Sequence, residues 1–159
     1  MAFYTGRSGS LAFGTTTNSG PTESLTAPTT KPVAKIRDWS IDVTMETIST
    51  NSIDSAYNTF VPSVKGATGS ATLIYYRLES GEDASKSGFN ELLNKTPLSK
   101  GAMEVTDRVY LELNAGGGSN DDIKFWAYIT SVGTSVSAGE LSTVNIQFAM
   151  DGDFLEVIV

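Results

Sequence analysis

Carboxylates are the side chains of this sequence best placed to do chemistry, because its 159 residues include no histidine and no cysteine. That absence removes the commonest general base, the Ser-His and Cys-His nucleophile pairs and the usual zinc ligands. Asp42 and Glu46 stand on one side of an alternating stretch. Four residues of extended chain would hold them about 13 Å apart, wider than the roughly 5 to 9.5 Å between glycosidase carboxylates. An acid–base pair would need a partner from another strand. Asp121, Asp122, Asp151 and Asp153 could recruit calcium, but the spacing of an EF-hand loop is missing and turn aspartates are usually solvated. Gly116, Gly117 and Gly118 lead into Ser119-Asn-Asp-Asp122 where a phosphate-binding loop needs Gly-Lys-Ser/Thr, so a hairpin turn is the better account. Asn94-Lys95-Thr96 matches a glycosylation acceptor, and with no secretory run ahead of it the match carries little. The residues therefore predict no enzyme, no metal and no cofactor.

The elements that position these residues read as mainly β. Hydrophobic residues make up 40% of the chain and charged ones 18%, with apolar residues in short runs separated by Gly, Ser, Thr and Asn. The length fits one domain with an ordinary core, and without disulfides that core must suffice. No apolar stretch approaches the eighteen or so residues of a membrane span, and the N-terminus lacks a signal-peptide run, so the product is expected to remain soluble where it is made. A net charge of −7 and no dense Lys/Arg cluster argue against gripping nucleic acid, whose affinity comes from neutralised phosphates.

Along the chain, residues 1–32 are rich in Gly, Ser, Thr and Pro and read as an extended arm, either lying on its own domain or ordered by neighbours. Residues 33–159 read as one β-rich domain. Val33 to Ile48 alternates, with Trp39, Ile41, Val43 and Met45 on one face and Asp38, Ser40, Asp42, Thr44 and Glu46 on the other. A long polar loop, Ser49 to Thr68, holds no group for chemistry but carries Ile53, Tyr57, Phe60, Val61 and Val64, more apolar groups than a solvated loop usually has. A strand is expected over Thr68 to Leu78, and one flanking helix over Asp83 to Lys95 with Phe89, Leu92 and Leu93 on a shared face. Val105 to Leu113 and Ile123 to Val132 should form a hairpin. Leu141 to Met150 should be a strand, and Asp151-Gly152 a turn into a last strand, Phe154 to Val159.

The passages Trp39 to Glu46, Ile48-Ser-Thr50, Ile53-Asp-Ser55, Phe60-Val-Pro62, Lys65-Gly66 and Thr68 to Tyr76, with Gln147-Phe148 and Gly152, resemble the tail tube (major tail) proteins of tailed bacteriophages. They lie within two stretches, 39–76 and 147–152, that together span just over a quarter of the chain. Ser63 departs from the Gly expected after the loop proline. The resemblance implies a β-sandwich or β-barrel of two packed sheets with a flanking helix, assembled as hexameric rings stacked into a tube in the virion tail. It implies a homo-oligomer with other tail proteins at the tube ends, a conduit that DNA crosses during genome ejection without specific binding, and no membrane anchor. In that picture Asp38, Asp42 and Glu46 would face the lumen, and Ile53, Tyr57, Phe60 and Val61 would contact other subunits. An ordinary solvated strand face and a loop packed on its own domain are the alternatives. A carbohydrate or receptor-binding β-sandwich, with Tyr110, Trp126 and Tyr128 as its aromatic platform, is the rival function.

Overall fold

A computed structural model describes residues 9–32, 36–53, 56–74, 89–116 and 122–157, the side chains of 89 and 90 excepted. The elements are β1 (Ser10–Thr15), β2 (Lys31–Pro32), β3 (Ile36–Ser49), β4 (Phe60–Ile74), α1 (Phe89–Asn94), β5 (Val109–Asn114), β6 (Asp122–Ser135) and β7 (Thr143–Val157). All strands belong to one antiparallel sheet in the order β2-β1-β5-β6-β7-β4-β3. The mainly β class is as expected, and among the described residues the strands form one sheet that is not closed into a barrel. It curls far enough to bring β1 near β3 without joining its edges.

Period-two alternation explains which side is filled. Leu11 and Phe13 of β1, Val109, Leu111 and Leu113 of β5, and Phe125, Ala127 and Ile129 of β6 lie in one buried cluster. Ala71 and Leu73 of β4 and Val144, Ile146 and Phe148 of β7 complete it. The register carries these rows across the sheet. Ile41 pairs with Gly69, Gly69 with Phe148, and Phe148 with Ile129. A Cβ on Gly69 would stand 2.3 Å from the Ser40 carbonyl oxygen and 2.5 Å from the Phe148 ring, so only glycine allows this close approach.

Three segments differ from the sequence reading, each for a physical reason. First, the loop expected over Ser49 to Thr68 is shorter, because β3 runs on to Ser49 and β4 resumes at Phe60. Pro62 is accommodated within β4 because it faces Thr47 beside an irregularity in the β3–β4 ladder, at a level where β4 has no second partner among the described residues. Proline's missing N–H costs little there. Second, Asp151-Gly152 does not end a strand. Gly152 takes φ 86° inside a continuous β7, and the β6–β7 register steps from Met150–Ala127 to Phe154–Phe125 around it. A left-handed glycine in a bulge bends the strand without reversing it. Third, the helix is described only over Phe89–Asn94, residues 83–88 lying outside the described set. Leu92 enters the core, and Thr96 closes the helix by donating to the Leu93 carbonyl at 2.6 Å.

Residues 16–30 form a strap on the body. Pro28 lies against Gly14, which is in register with Tyr110, so the strap runs over the face on which Tyr110 and Trp126 are buried edge to face with centroids 5.3 Å apart. The buried Arg108 guanidinium fastens it, donating to the carbonyls of Asn18 and Gly20 and pairing with Asp151 at 3.1 Å. Thr22 fills the space beside Gly152.

Candidate assembly surface

The β4–β7 ladder ends at Thr68 and Ala149, while β3 and β4 stay paired as far as Ser49 and Phe60. The distal half of this hairpin therefore projects past the strand that supports its base. Alternation that packs the partly buried Trp39 and Ile41 against the core leaves Val43 and Met45, further along the same face, about half exposed. Ile48, Phe60, Val61 and Val64 are also exposed, and the connecting segment leaves Tyr57 at 81% and Ile53 fully in solvent. Val43, Met45 and Ile48 had no signal of exposure in the sequence, since a period of two does not reveal where a neighbouring strand departs.

The tip is braced from within. Thr50 N–H donates to the Thr59 carbonyl at 2.9 Å, Asn51 Nδ2 to Asn58 Oδ1 at 2.7 Å, and Thr59 N–H to Asn51 Oδ1 at 2.8 Å. The hydroxyls of Thr50 and Thr59 lie 2.7 Å apart. These polar groups are consumed inside the tip while Ile53 and Phe60 stay outside. Such a loop has less conformational freedom to lose on meeting a partner.

The opposite face of β3, β4, β7 and lower β6 is polar. Asp38, Thr72, Asn145 and Gly133 form one row, and Ser40, Ser70, Gln147 and Ser131 the next. Asp42, Thr68, Ala149 and Tyr128 form a third. Thr72 donates to Asn145 at 2.8 Å, and the Ser40 and Ser70 hydroxyls are 3.1 Å apart. No Lys or Arg stands in these rows. Asp38 and Asp42 are exposed on this face, whereas Glu46 is exposed within the ladder irregularity between Met45 and Thr47. Of the residues singled out in the hairpin, Ile53 and Tyr57 lie in the connection, while Phe60 and Val61 lie on β4 rather than in a loop.

The other chemical candidates are held in local structure. Among the described residues no cluster of three His, Cys, Asp or Glu side chains could hold a metal. Asp122 accepts from Asn114 Nδ2 at 2.6 Å, Asp151 is paired with Arg108, and Asp153 with Lys65 at 2.6 Å. Hydrogen bonding from Lys65, then from the Phe154 N–H, holds the Asp153 carboxyl below the usual carboxylate range. Asp121, Gly117 and Gly118 lie outside the described residues. Trp126 and Tyr110 are buried, and burial raises the Tyr110 hydroxyl pKa, so they present no exposed aromatic platform.

No family profile matches the sequence, and no curated protein matches it. Solved structures do resemble the fold. The SPP1 tail tube superposes with a TM-score of 0.65 at 11% identity, over 98% of this chain and 80% of that one. The tail of an empty gene transfer agent particle, refined with C6 symmetry, gives 0.56 at 12% identity, over 82% and 87%. The baseplate of the anti-feeding prophage gives 0.53 at 6% identity, over 97% and 95%. At these identities the likeness is one of fold, and the fold it joins is that of proteins built into phage-type tails and related particles.

Proposed function

We propose that this chain is a structural, non-enzymatic subunit of a phage-type tail tube. Copies would form hexameric rings that stack into a hollow conduit in the virion tail, with other tail proteins at its ends. The observation that carries this reading is the projecting β3–β4 hairpin on a tail-tube-like fold. Its apolar side chains lie in solvent, and β3 leaves one long strand edge without a partner among the described residues. Exposed apolar area costs roughly 25 cal/mol per Å², and a free edge invites pairing with another chain, so both call for a second copy.

In this reading Ile53, Tyr57, Phe60 and Val61 contact neighbouring subunits, and the polar face carrying Asp38 and Asp42, with Glu46 beyond them, lines the bore. A wall of hydroxyls, amides and carboxylates gives DNA no cations to neutralise its phosphates. It can therefore pass during ejection without the adhesion that counterion release provides.

Size-exclusion chromatography with electron microscopy tests the assembly. Wild-type chain should give rings or tubes, and the Tyr57→Ser/Phe60→Ser variant a folded species that forms none. A wild-type chain that stays monomeric at high concentration refutes the reading. Loss of folding in the variant would reassign the loop to packing on its own domain.

A further inference from the structure

Where β4 leaves β7, one side chain reaches back. Lys65 Nζ lies 2.6 Å from Asp153 Oδ1 and 5.2 Å from the centre of the Phe154 ring. The receiving end is built by the bent part of β7. Left-handed Gly152 turns the strand, and Asp153 Oδ1 also accepts the Phe154 N–H at 2.7 Å. Phe154 packs edge-on against buried Phe125 at 5.7 Å between centroids, which ties the site to the core. Among the described residues this is the one ion pair, and the one cation–π contact, between the distal hairpin and the body.

We propose that Lys65 is a latch: by engaging Asp153 and Phe154 together it fixes the angle of the distal β3–β4 hairpin, and so presents the apolar assembly surface in one pose. The inference deepens the assembly reading and rests on it for its consequence, but the latch itself is a property of the single chain. Two weak contacts suffice because β3 and β4 already hold each other, leaving only a hinge motion of the pair to be restrained. Lys65 is thus a positioning residue that need not touch a neighbouring copy.

Hydrogen exchange followed by mass spectrometry on the unassembled full chain tests this directly. Lys65→Met keeps the apolar stem and loses the charge. Amides of residues 43–49 and 60–66 should exchange about 3- to 10-fold faster in Lys65→Met, which removes both contacts, and faster by a smaller factor in Asp153→Asn, which keeps Lys65 over the ring, while those of β5 stay unchanged. Lys65→Arg should stay close to wild type, and tube formation should fall in Lys65→Met and return in Lys65→Arg. Unchanged hairpin exchange in both charge-removing variants, or an equal rise across the whole chain, overturns the latch. Because exchange is read before assembly, failure of wild-type chain to form tubes would count against the assembly reading without disturbing the exchange result.

Discussion

Replacing Gly69 with alanine tests the register on which the sheet rests. The added methyl would meet the Ser40 carbonyl oxygen at 2.3 Å and two atoms of the Phe148 ring at 2.5 and 2.7 Å. Neither neighbour yields cheaply. The Ser40 oxygen belongs to the β3 backbone, and Phe148 is 1% exposed with Phe125 beside it at 5.8 Å. Overpacking of this kind costs about 1 to 3 kcal/mol. Against it stands a gain of about 0.4 to 1 kcal/mol from a less flexible unfolded chain. With a backbone atom among the obstacles, the net loss should be about 2 kcal/mol, which lowers the melting temperature by about 4 to 8 °C in a chain of this size. Thermal and urea unfolding followed by tryptophan fluorescence would read it, Trp39 lying on β3 and Trp126 in the buried upper half. Adding Phe148→Leu relieves the ring but leaves the carbonyl, so the double variant should lose less than the sum of the singles. If Gly69→Ala is as stable as wild type, the β3–β4–β7 register is not as described.

Two further outcomes follow from other parts of the structure. Phe13→Ala should cost about 3 to 5 kcal/mol in urea unfolding, although Phe13 sits in a Gly- and Thr-rich segment, because its ring is buried in the core; a loss below about 1 kcal/mol would mean that β1 is not part of the core. The carboxyl of buried Asp107 is held below the usual carboxylate range, first by the Glu104 N–H, then by Lys100 and Lys95 against the opposing cost of burial. Its folded pKa lies below the unfolded value of about 3.9, so its stabilisation is complete above that value and is lost as pH falls through the folded one. Urea midpoints between pH 2 and 6 should decline below about pH 4 in wild type and less steeply in Asp107→Asn; equal slopes would rule out this carboxyl as the source.

Local periodicity made the class and most strands legible. Trp39 and Ile41, Leu111 and Leu113, and Val144, Ile146 and Phe148 alternate with polar neighbours, and each set lies against the core. The lower limit of the reading was set by tertiary pairing. Nothing near Leu11 and Phe13 marks them as a strand, since β1 draws its order from β5, which follows about a hundred residues later. Val43 and Met45 carry the same signal as Trp39 and Ile41 but lie beyond the reach of β7. The polar rows of Asp38, Ser40 and Asp42 could be read from β3, but the rows that continue them across β4, β7 and β6 required the register. The contact of Lys65 with Asp153 and Phe154 offered no local signal, because those residues come close to it only through the bend at Gly152.

The two halves of the sheet divide the energetic work. Around β5, upper β6 and β1, both faces are covered: the core fills one, and the strap pinned by Arg108 lies over the other. Around the distal half of β3–β4 the side chains of both faces are exposed, and the outer edge of β3 has no partner strand among the described residues. A chain selected only to fold would gain by shortening this hairpin, since its apolar residues contribute nothing to the monomer's core and raise the hazard of edge pairing. The internal hydrogen bonds of the tip and the Lys65 contact instead spend side chains on holding the hairpin extended. That expenditure is intelligible if the missing cover is another copy of the chain, whose apolar groups and strand edge would complete what this sheet leaves open.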